Sequence, residues 1–236
     1  MAHPYFDLPM PIVIGHKGSA GDSPENTLLS FERALAQGAH ILESDVHVTR
    51  DGVPVLIHDE TVDRIGGRPG RVAELRLEEL REVDAGHYFS FDGGASFPYR
   101  GADLRIPTVE EAFDRFPEAR FNLELKENLP GLAERVIELV QSRGRADRTL
   151  LTAGDDALMA RVRDELKRCD VAAALGASVA DVLDFVRTAG TGETPASDSM
   201  ALQIPADFGG RPLVTRELLD HAHVHGVQVH VWTINE

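Results

Sequence analysis

"ILESDVHVTRDGVPVLIHDE", residues 41 to 60, sets two acids one residue apart on an apolar run, adds a tight-turn signal, and ends a second apolar run in His-Asp-Glu. Both runs read as buried strands, where Glu43, Asp45, His58, Asp59 and Glu60 are costly unless paired. Asp51-Gly52 is a strong hairpin signal, because a type I′ turn needs positive φ at both central residues. A turn centred there pairs Arg50 with Val53 and, counting outward, Asp45 with His58 and Glu43 with Glu60. Opposed side chains share a face, as do residues two apart on one strand, so Glu43, Asp45 and His58 are expected to converge. Two carboxylates that close repel each other, and both stay ionised only with a cation between them.

Outward from this hairpin, apolar runs of strand length alternate with stretches of helical period. "PIVIGHKG" reads as a strand ending at His16, and "ENTLLSFERALAQG" puts Leu28, Phe31, Ala34 and Leu35 on one helical face before Gly38. "HILESDV", "ARFNLELKE", "RTLLTAG", "VAAALGA", "MALQIPA" and "VQVHVWTIN" continue the strands. Between them lie helices over "GLAERVIELVQSRG", over "DDALMARVRDELKR" with Asp155 as N-cap, and over "TRELLDHAHVHG", opened by Thr215 and closed by Gly226. This alternation implies an α/β protein with a parallel sheet covered by helices. No G-x-G-x-x-G turn follows the first strand, so a TIM-type (β/α)8 barrel fits better than a doubly wound sheet. Seven barrel strands are counted, and the sequence stops directly after the seventh. The last strand is therefore expected to be missing, through truncation or because something else fills the gap, and unpaired edges favour a homo-oligomer.

The strand "FNLELKE" sets Glu124 and Lys126 on one face of an apolar run. In a barrel, residues near the C-terminal ends of strands face the mouth. Glu43, Asp45 and Glu124 then form an all-oxygen set suited to Mg²⁺ or Ca²⁺ rather than zinc, with His16 and His58 beside them.

Bulk composition limits the alternatives. The 236 residues are 42% hydrophobic and 27% charged, with no low-complexity linker, which favours one domain over residues 1–236. With 24 basic against 39 acidic residues the formal charge is −15, which excludes a nucleic-acid backbone as the general partner. The single cysteine, Cys169, can form no internal disulfide and reads as a bystander. No run approaches the roughly 18 apolar residues of a membrane span, and "MAHPYFDLPMPIVIG" lacks a signal-peptide pattern. A soluble, cytoplasmic protein is the expectation.

The chain resembles the glycerophosphodiester phosphodiesterases through motifs in family order: "GHKG" at 15–18, "SPENTLLSFERALAQGA" at 23–39, "LESDVHVTRDGVPVLIHDETVDR" at 42–64, "LRLEELREVDAG" at 75–86, "IPTVEEAF" at 106–113, "NLELK" at 122–126 and "VWTIN" at 231–235. The resemblance implies a metal-dependent barrel enzyme that hydrolyses glycerophosphodiesters to an alcohol and sn-glycerol 3-phosphate. Carried over by motif, Glu43, Asp45 and Glu124 hold one divalent cation, Mg²⁺ or Ca²⁺ with Mn²⁺ as a further candidate. His16 and His58 are the acid and base pair, and Lys17 and Lys126 face the phosphate. Trp232, at a strand end, is a substrate-contact candidate. The nucleophile is water or the neighbouring glycerol hydroxyl. The segment from about 61 to 105, after the hairpin, corresponds to a family insertion that roofs the site; Tyr88, Phe89 and Phe91 either shape the pocket or pack the insertion.

Two features depart from the family pattern. Lys17 stands in "HKG" where most relatives have "HRG", replacing a bidentate phosphate grip with a point charge. The family's helix and last strand after "WTVN" have no counterpart here. Other readings of the residues are a Schiff-base barrel with Lys126 as the amine, and a non-catalytic relative that binds or scaffolds. His47 and His230 are given no role. His221, His223 and His225 lie two apart on a helix, facing away from one another, and "DGGASF" at 92–97 lacks the spacing of a calcium loop. Asn26 caps the first helix, points into the mouth, or does both.

Overall fold

A computed structural model describes residues 3–234 of the chain. In order the elements are β1 (Ile14–His16), α1 (Leu28–Ala36), β2 (Ile41–Val48), β3 (Pro54–Leu56), α2 (Asp63–Gly66), α3 (Leu77–Leu80), α4 (Val109–Arg115), β4 (Arg120–Leu125) and α5 (Leu132–Ser142). Then come β5 (Thr149–Thr152), α6 (Asp156–Cys169), β6 (Ala174–Leu175), α7 (Val179–Thr191), β7 (Ala201–Pro205), β8 (Asp207–Phe208), β9 (Arg211–Pro212), α8 (Arg216–Val224) and β10 (Gln228–Trp232).

Strands β1, β2, β4, β5 and β6 pair in parallel, each with its successor, and β7 pairs in parallel with β10. A single bridge from Gly176 to Ala201 links β6 to β7. Among the described residues no ladder joins β1 to β10, although Thr233 Oγ1 lies 3.4 Å from His16 Nδ1. The period of two sorts the side chains. Leu42 and Val46 of β2, Phe121, Leu123 and Leu125 of β4 and Leu151 of β5 pack outward with Phe31, Phe113, Val136 and Leu158 of the helices. Ile41, Leu150, Ala174 and Ala201 point the other way and meet Tyr5, which is fully buried. Because Ile41 lies on the inner face of β2, Glu43 and Asp45 lie on it too, further toward the C-terminal end.

Tyr5 belongs to a 3₁₀ turn, Pro4–Phe6, that covers the N-terminal ends of the strands. His3 Nε2 meets the Ala172 carbonyl at 2.8 Å, and Arg120 Nη2 donates to the carbonyls of Pro4 and Asp7. Sequence reading assigns nothing to this segment.

The hairpin forms in a different register from the one expected. Val46 pairs with Leu56, His47 with Val55 and Val48 with Pro54, one residue from a turn centred on Asp51-Gly52. Only Gly52 takes positive φ, at 82°. Gly52 N–H donates to the Thr49 carbonyl and Thr49 N–H to the Val53 carbonyl, which makes a three-residue loop with glycine in the left-handed position. Asp45 therefore does not pair with His58, nor Glu43 with Glu60. Ile57 N–H donates to the Asp45 carbonyl, and His58 follows in the loop beyond β3. Glu60 instead accepts from Arg71 at 2.9 Å.

Residues 61–105 hold α2, α3 and long loops, with Val62, Val72, Leu80, Val83 and Ala85 buried against Val55, Ile57 and Ile106. The segment leaves after β3 and returns beside it, where Leu56 N–H donates to the Pro107 carbonyl.

Candidate active site

Glu43, Asp45 and Glu124 each present an oxygen within 4.8 Å of the others. Register explains this: β2 and β4 are adjacent, Asp45 is level with Glu124, and Glu43 is level with His16 on the other side. Asp45 is only 2% exposed, and two side chains, Lys126 and Asn26, reach its carboxylate. Lys126 Nζ lies 3.2 Å from both Asp45 Oδ1 and Glu124 Oε1. Asn26 Nδ2 donates to Asp45 Oδ2 at 3.3 Å, while Asn26 Oδ1 accepts from Ser44 Oγ at 2.7 Å. Thr27, not Asn26, caps α1, so Asn26 serves the mouth.

Glu43 accepts from the Lys17 backbone N–H at 2.9 Å, and His16 Nε2 stands 3.9 Å from the same oxygen. Lys17 and Asn26 both adopt left-handed backbone conformations, φ 56° and 55°, and the Asn26 N–H donates to the Lys17 carbonyl. Such conformations cost on the order of 1–3 kcal/mol each in non-glycine residues and cluster at functional sites. Here the strain turns the Lys17 N–H toward Glu43.

Burial, reinforced by the charge of Asp45, pushes the Glu43 carboxyl up to about 8. Without a cation the adjacent acids cannot both ionise at neutral pH. Burial also lowers His16, helped by the positive charge of Lys17 and by His58, which outweigh Asp45. Burial works to lower the Lys126 ammonium as well, but Glu124 and Asp45 overcome it and hold it above its ordinary range. A protonated Lys126 argues against the Schiff-base reading.

His58 Nδ1 meets Asp59 Oδ1 at 2.6 Å. His47, given no role from sequence, is buried between Glu127 Oε2, 2.8 Å from its Nδ1, and the His58 carbonyl, 3.1 Å from its Nε2. Trp232 ends β10 level with Pro205 and is half exposed. Tyr88, Phe89 and Phe91 have their ring contacts inside the insertion and with its neighbours: Phe89 with Phe91 and Tyr99, Tyr88 with His87 and Phe97. Tyr88 and Phe91 nevertheless stay 49% and 62% exposed.

Elsewhere, His221 Nε2 meets Thr188 Oγ1 at 2.9 Å and its ring meets His225 edge to face, and among the described residues no second metal-type cluster occurs. His230 is buried with no acidic partner, and burial lowers it to about 4. Asp92 binds Ser90 and Ser96 in its own loop. Cys169 is half buried with its Sγ 3.4 Å from Glu165.

Three carboxylates with no thiolate or imidazole among them suit a hard divalent cation such as Mg²⁺ or Ca²⁺. Fold and site together define a parallel α/β protein with an acidic centre, able to hold such a cation, at the C-terminal ends of its strands. The glycerophosphoryl diester phosphodiesterase family model matches residues 16–236, and the chain belongs to that family. A glycerophosphodiester phosphodiesterase of Caldanaerobacter subterraneus subsp. tengcongensis is 37% identical over 60% of this chain, and the match spans 57% of that relative's length. The glycerophosphoryl diester phosphodiesterase domain of a Mycobacterium tuberculosis protein shares the fold, with a TM-score of 0.78 at 21% identity over 93% of this chain and 86% of that one. An Oleispira antarctica phosphodiesterase, solved with the product sn-glycerol-3-phosphate, superposes with a TM-score of 0.75 at 27% identity, over 99% of this chain and 87% of that one. These neighbours make the architecture TIM-barrel-like. No described helix is long and apolar enough to cross a membrane.

Proposed function

We propose that this protein hydrolyses glycerophosphodiesters to an alcohol and sn-glycerol 3-phosphate, with one divalent cation held by Glu43, Asp45 and Glu124. The observation that carries this is the convergence of those three oxygens within 4.8 Å beside His16. The cation supplies positive charge against the negative charge that grows on the phosphoryl oxygens. Lys126 adds a fixed ammonium at the same place, and Lys17 a second, so together they bind and orient the phosphate. His16, held largely neutral, accepts the proton of the attacking hydroxyl, whether water or the glycerol hydroxyl. His58, with Nδ1 engaged by Asp59, presents Nε2 and donates a proton to the leaving alkoxide. Trp232 at the rim covers one side of the substrate. Residues 1–236 act as one barrel domain with residues 61–105 as a roof over the mouth, in the cytoplasm.

Release of glycerol 3-phosphate from glycerophosphocholine tests this reading. Activity is expected to vanish with EDTA and return with Mg²⁺, Ca²⁺ or Mn²⁺. Turnover indifferent to chelator, or none with any of the three metals, would sink it.

A further inference from the structure

Two loops at the mouth, one after β1 and one after β3, carry Lys17 and His58, and one side chain joins them. Arg64, on α2, uses all three guanidinium nitrogens. Its Nε donates to Asp59 Oδ2 at 2.6 Å, while Nη1 and Nη2 grip Glu25 Oε2 and Oε1 at 3.0 and 2.6 Å. Asp59 gives its other oxygen to His58 Nδ1 at 2.6 Å, and Glu25 Oε1 stands 3.8 Å from Lys17 Nζ. The line runs His58, Asp59, Arg64, Glu25, Lys17. Neither carboxylate touches the three metal-type acids in any contact of the structure.

We propose that Arg64 is a positioning residue that, anchored on Glu25, fixes the Asp59 carboxylate so that Asp59 holds Nδ1 of His58 and leaves Nε2 facing the substrate. The catalytic half of this rests on the reading of His58 as a proton-transfer group. A carboxylate oxygen only accepts, so the contact at 2.6 Å requires a proton on Nδ1: as the acid the ring carries a second proton on Nε2, and once that proton passes to the leaving oxygen the neutral ring keeps Nδ1–H and its lone pair on Nε2. A free Asp59 side chain has staggered alternatives that break this contact; an arginine bonded to its second oxygen removes them. The clamp sits on fixed ground. Val62, immediately before α2, is fully buried, and Gly66 at the end of α2 lies so close to Val83 that a Cβ there would come within 2.3 Å of its side chain. Although burial works to raise Asp59, its bonds to Arg64 and His58 hold it down at about 2, so it stays an acceptor throughout the working range.

Arginine is needed for its geometry as well as its charge. Its planar fork binds two carboxylates on two edges at once, whereas a lysine is a point charge and grips one. The indirect role also sets the size of the effect. Losing an aspartate that directly orients a catalytic histidine costs about 10⁴-fold in hydrolase triads, and removing the residue behind it is expected to cost less, about 10- to 100-fold.

The test compares wild type, Arg64→Ala, Arg64→Lys and Asp59→Asn in full-length protein with saturating Mg²⁺. Three quantities are read: kcat and KM on glycerophosphocholine, the ¹⁵N shifts of the His58 ring, and the melting temperature. Expected is a fall in kcat of about 10- to 100-fold for Arg64→Ala, KM within about threefold, partial recovery in Arg64→Lys, and a larger fall in Asp59→Asn. The ¹⁵N signals should move from Nδ1–H toward the free-imidazole mixture in Arg64→Ala. A purely structural arginine would lower the melting temperature but leave the tautomer unchanged, so a kcat loss without a ¹⁵N change overturns the proposal. So does a tautomer change with kcat intact. If wild type hydrolyses no glycerophosphodiester, the functional reading fails and the ¹⁵N comparison alone decides whether the clamp exists.

Discussion

Lys126→Met should destabilise the cation-free protein far more than the cation-loaded one. The ammonium lies 3.2 Å from Asp45 and 3.2 Å from Glu124. At an effective dielectric of about 20, each contact is worth about 5 kcal/mol of gross Coulomb energy, most of it cancelled by the desolvation of the partners. Removing one member of a buried pair costs about 3–5 kcal/mol. Lys126 is 22% exposed and Glu124 35%, so solvent screening brings the expected loss to about 2–3 kcal/mol. Nearly all of it falls on Asp45, whose buried carboxyl loses its ammonium partner. A divalent cation among the same oxygens replaces the missing charge, so at saturating Mg²⁺ or Ca²⁺ the loss should shrink below about 1 kcal/mol. Lysine and cation compete for these acids, so the variant should also bind the cation more tightly, by about tenfold for each 1.4 kcal/mol regained. Urea denaturation of both proteins, with EDTA and with saturating cation, measures all of this. An equal loss in the two conditions would mean that Lys126 and the cation do not share these carboxylates, and the reasoning would fail.

Two further predictions concern the frame of the site. Gly18→Ala should cost about 2–5 kcal/mol: its φ is +81°, and a Cβ would lie 2.4 Å from Ser30 Oγ and 2.7 Å from the Ser30 backbone carbon. Gly21→Ala, with nothing within 4 Å, should be near neutral, and a Gly18→Ala melting temperature equal to it would refute the account. His230 gives a pH effect: with a folded value of about 4 against 6.5 unfolded, the unfolded chain binds more protons between those limits, so its contribution is intact above about pH 6.5 and lost toward pH 4. At about 1.4 kcal/mol per pH unit this reaches about 3 kcal/mol, and His230→Gln should flatten the stability profile in that window; an identical slope would exclude it.

The parts of this structure legible in the sequence are those written in short periods. Alternation on β2 puts Ile41, Glu43 and Asp45 on one face whatever the hairpin does, and the apolar runs give the parallel order. Helix caps at Asp155 and Thr215 are likewise local, their side chains accepting from Leu158 and Leu218 N–H. The capping boxes at Thr108 with Glu111 and Ser178 with Asp181 are equally local, and they open α4 and α7, helices that sequence reading does not assign. The hairpin register is not legible because Asp-Gly serves two turns, and only the sign of φ at Asp51 separates them. The floor formed by Tyr5 has no period to read. The contacts of Arg64 with Glu25 and of His47 with Glu127 span 39 and 80 residues, and no local pattern encodes such pairs.

Charge balance ties these observations together. Glu43, Asp45 and Glu124 carry −3 when all are ionised, and Lys126 brings the group to −2, the complement of one divalent cation. Burial and Asp45 hold Glu43 near 8, so without a cation at neutral pH the group sits closer to −1. The protein thus meets the cost of crowded acids in two ways, a resident ammonium and a retained proton, and a cation renders the proton unnecessary. The Lys17 N–H, turned inward by a left-handed backbone, favours the ionised Glu43 a cation requires, and so offsets part of the burial that opposes it. Backbone strain at Lys17 and the acidic cluster are then one design: the strain stabilises the charge state in which the three acids act together.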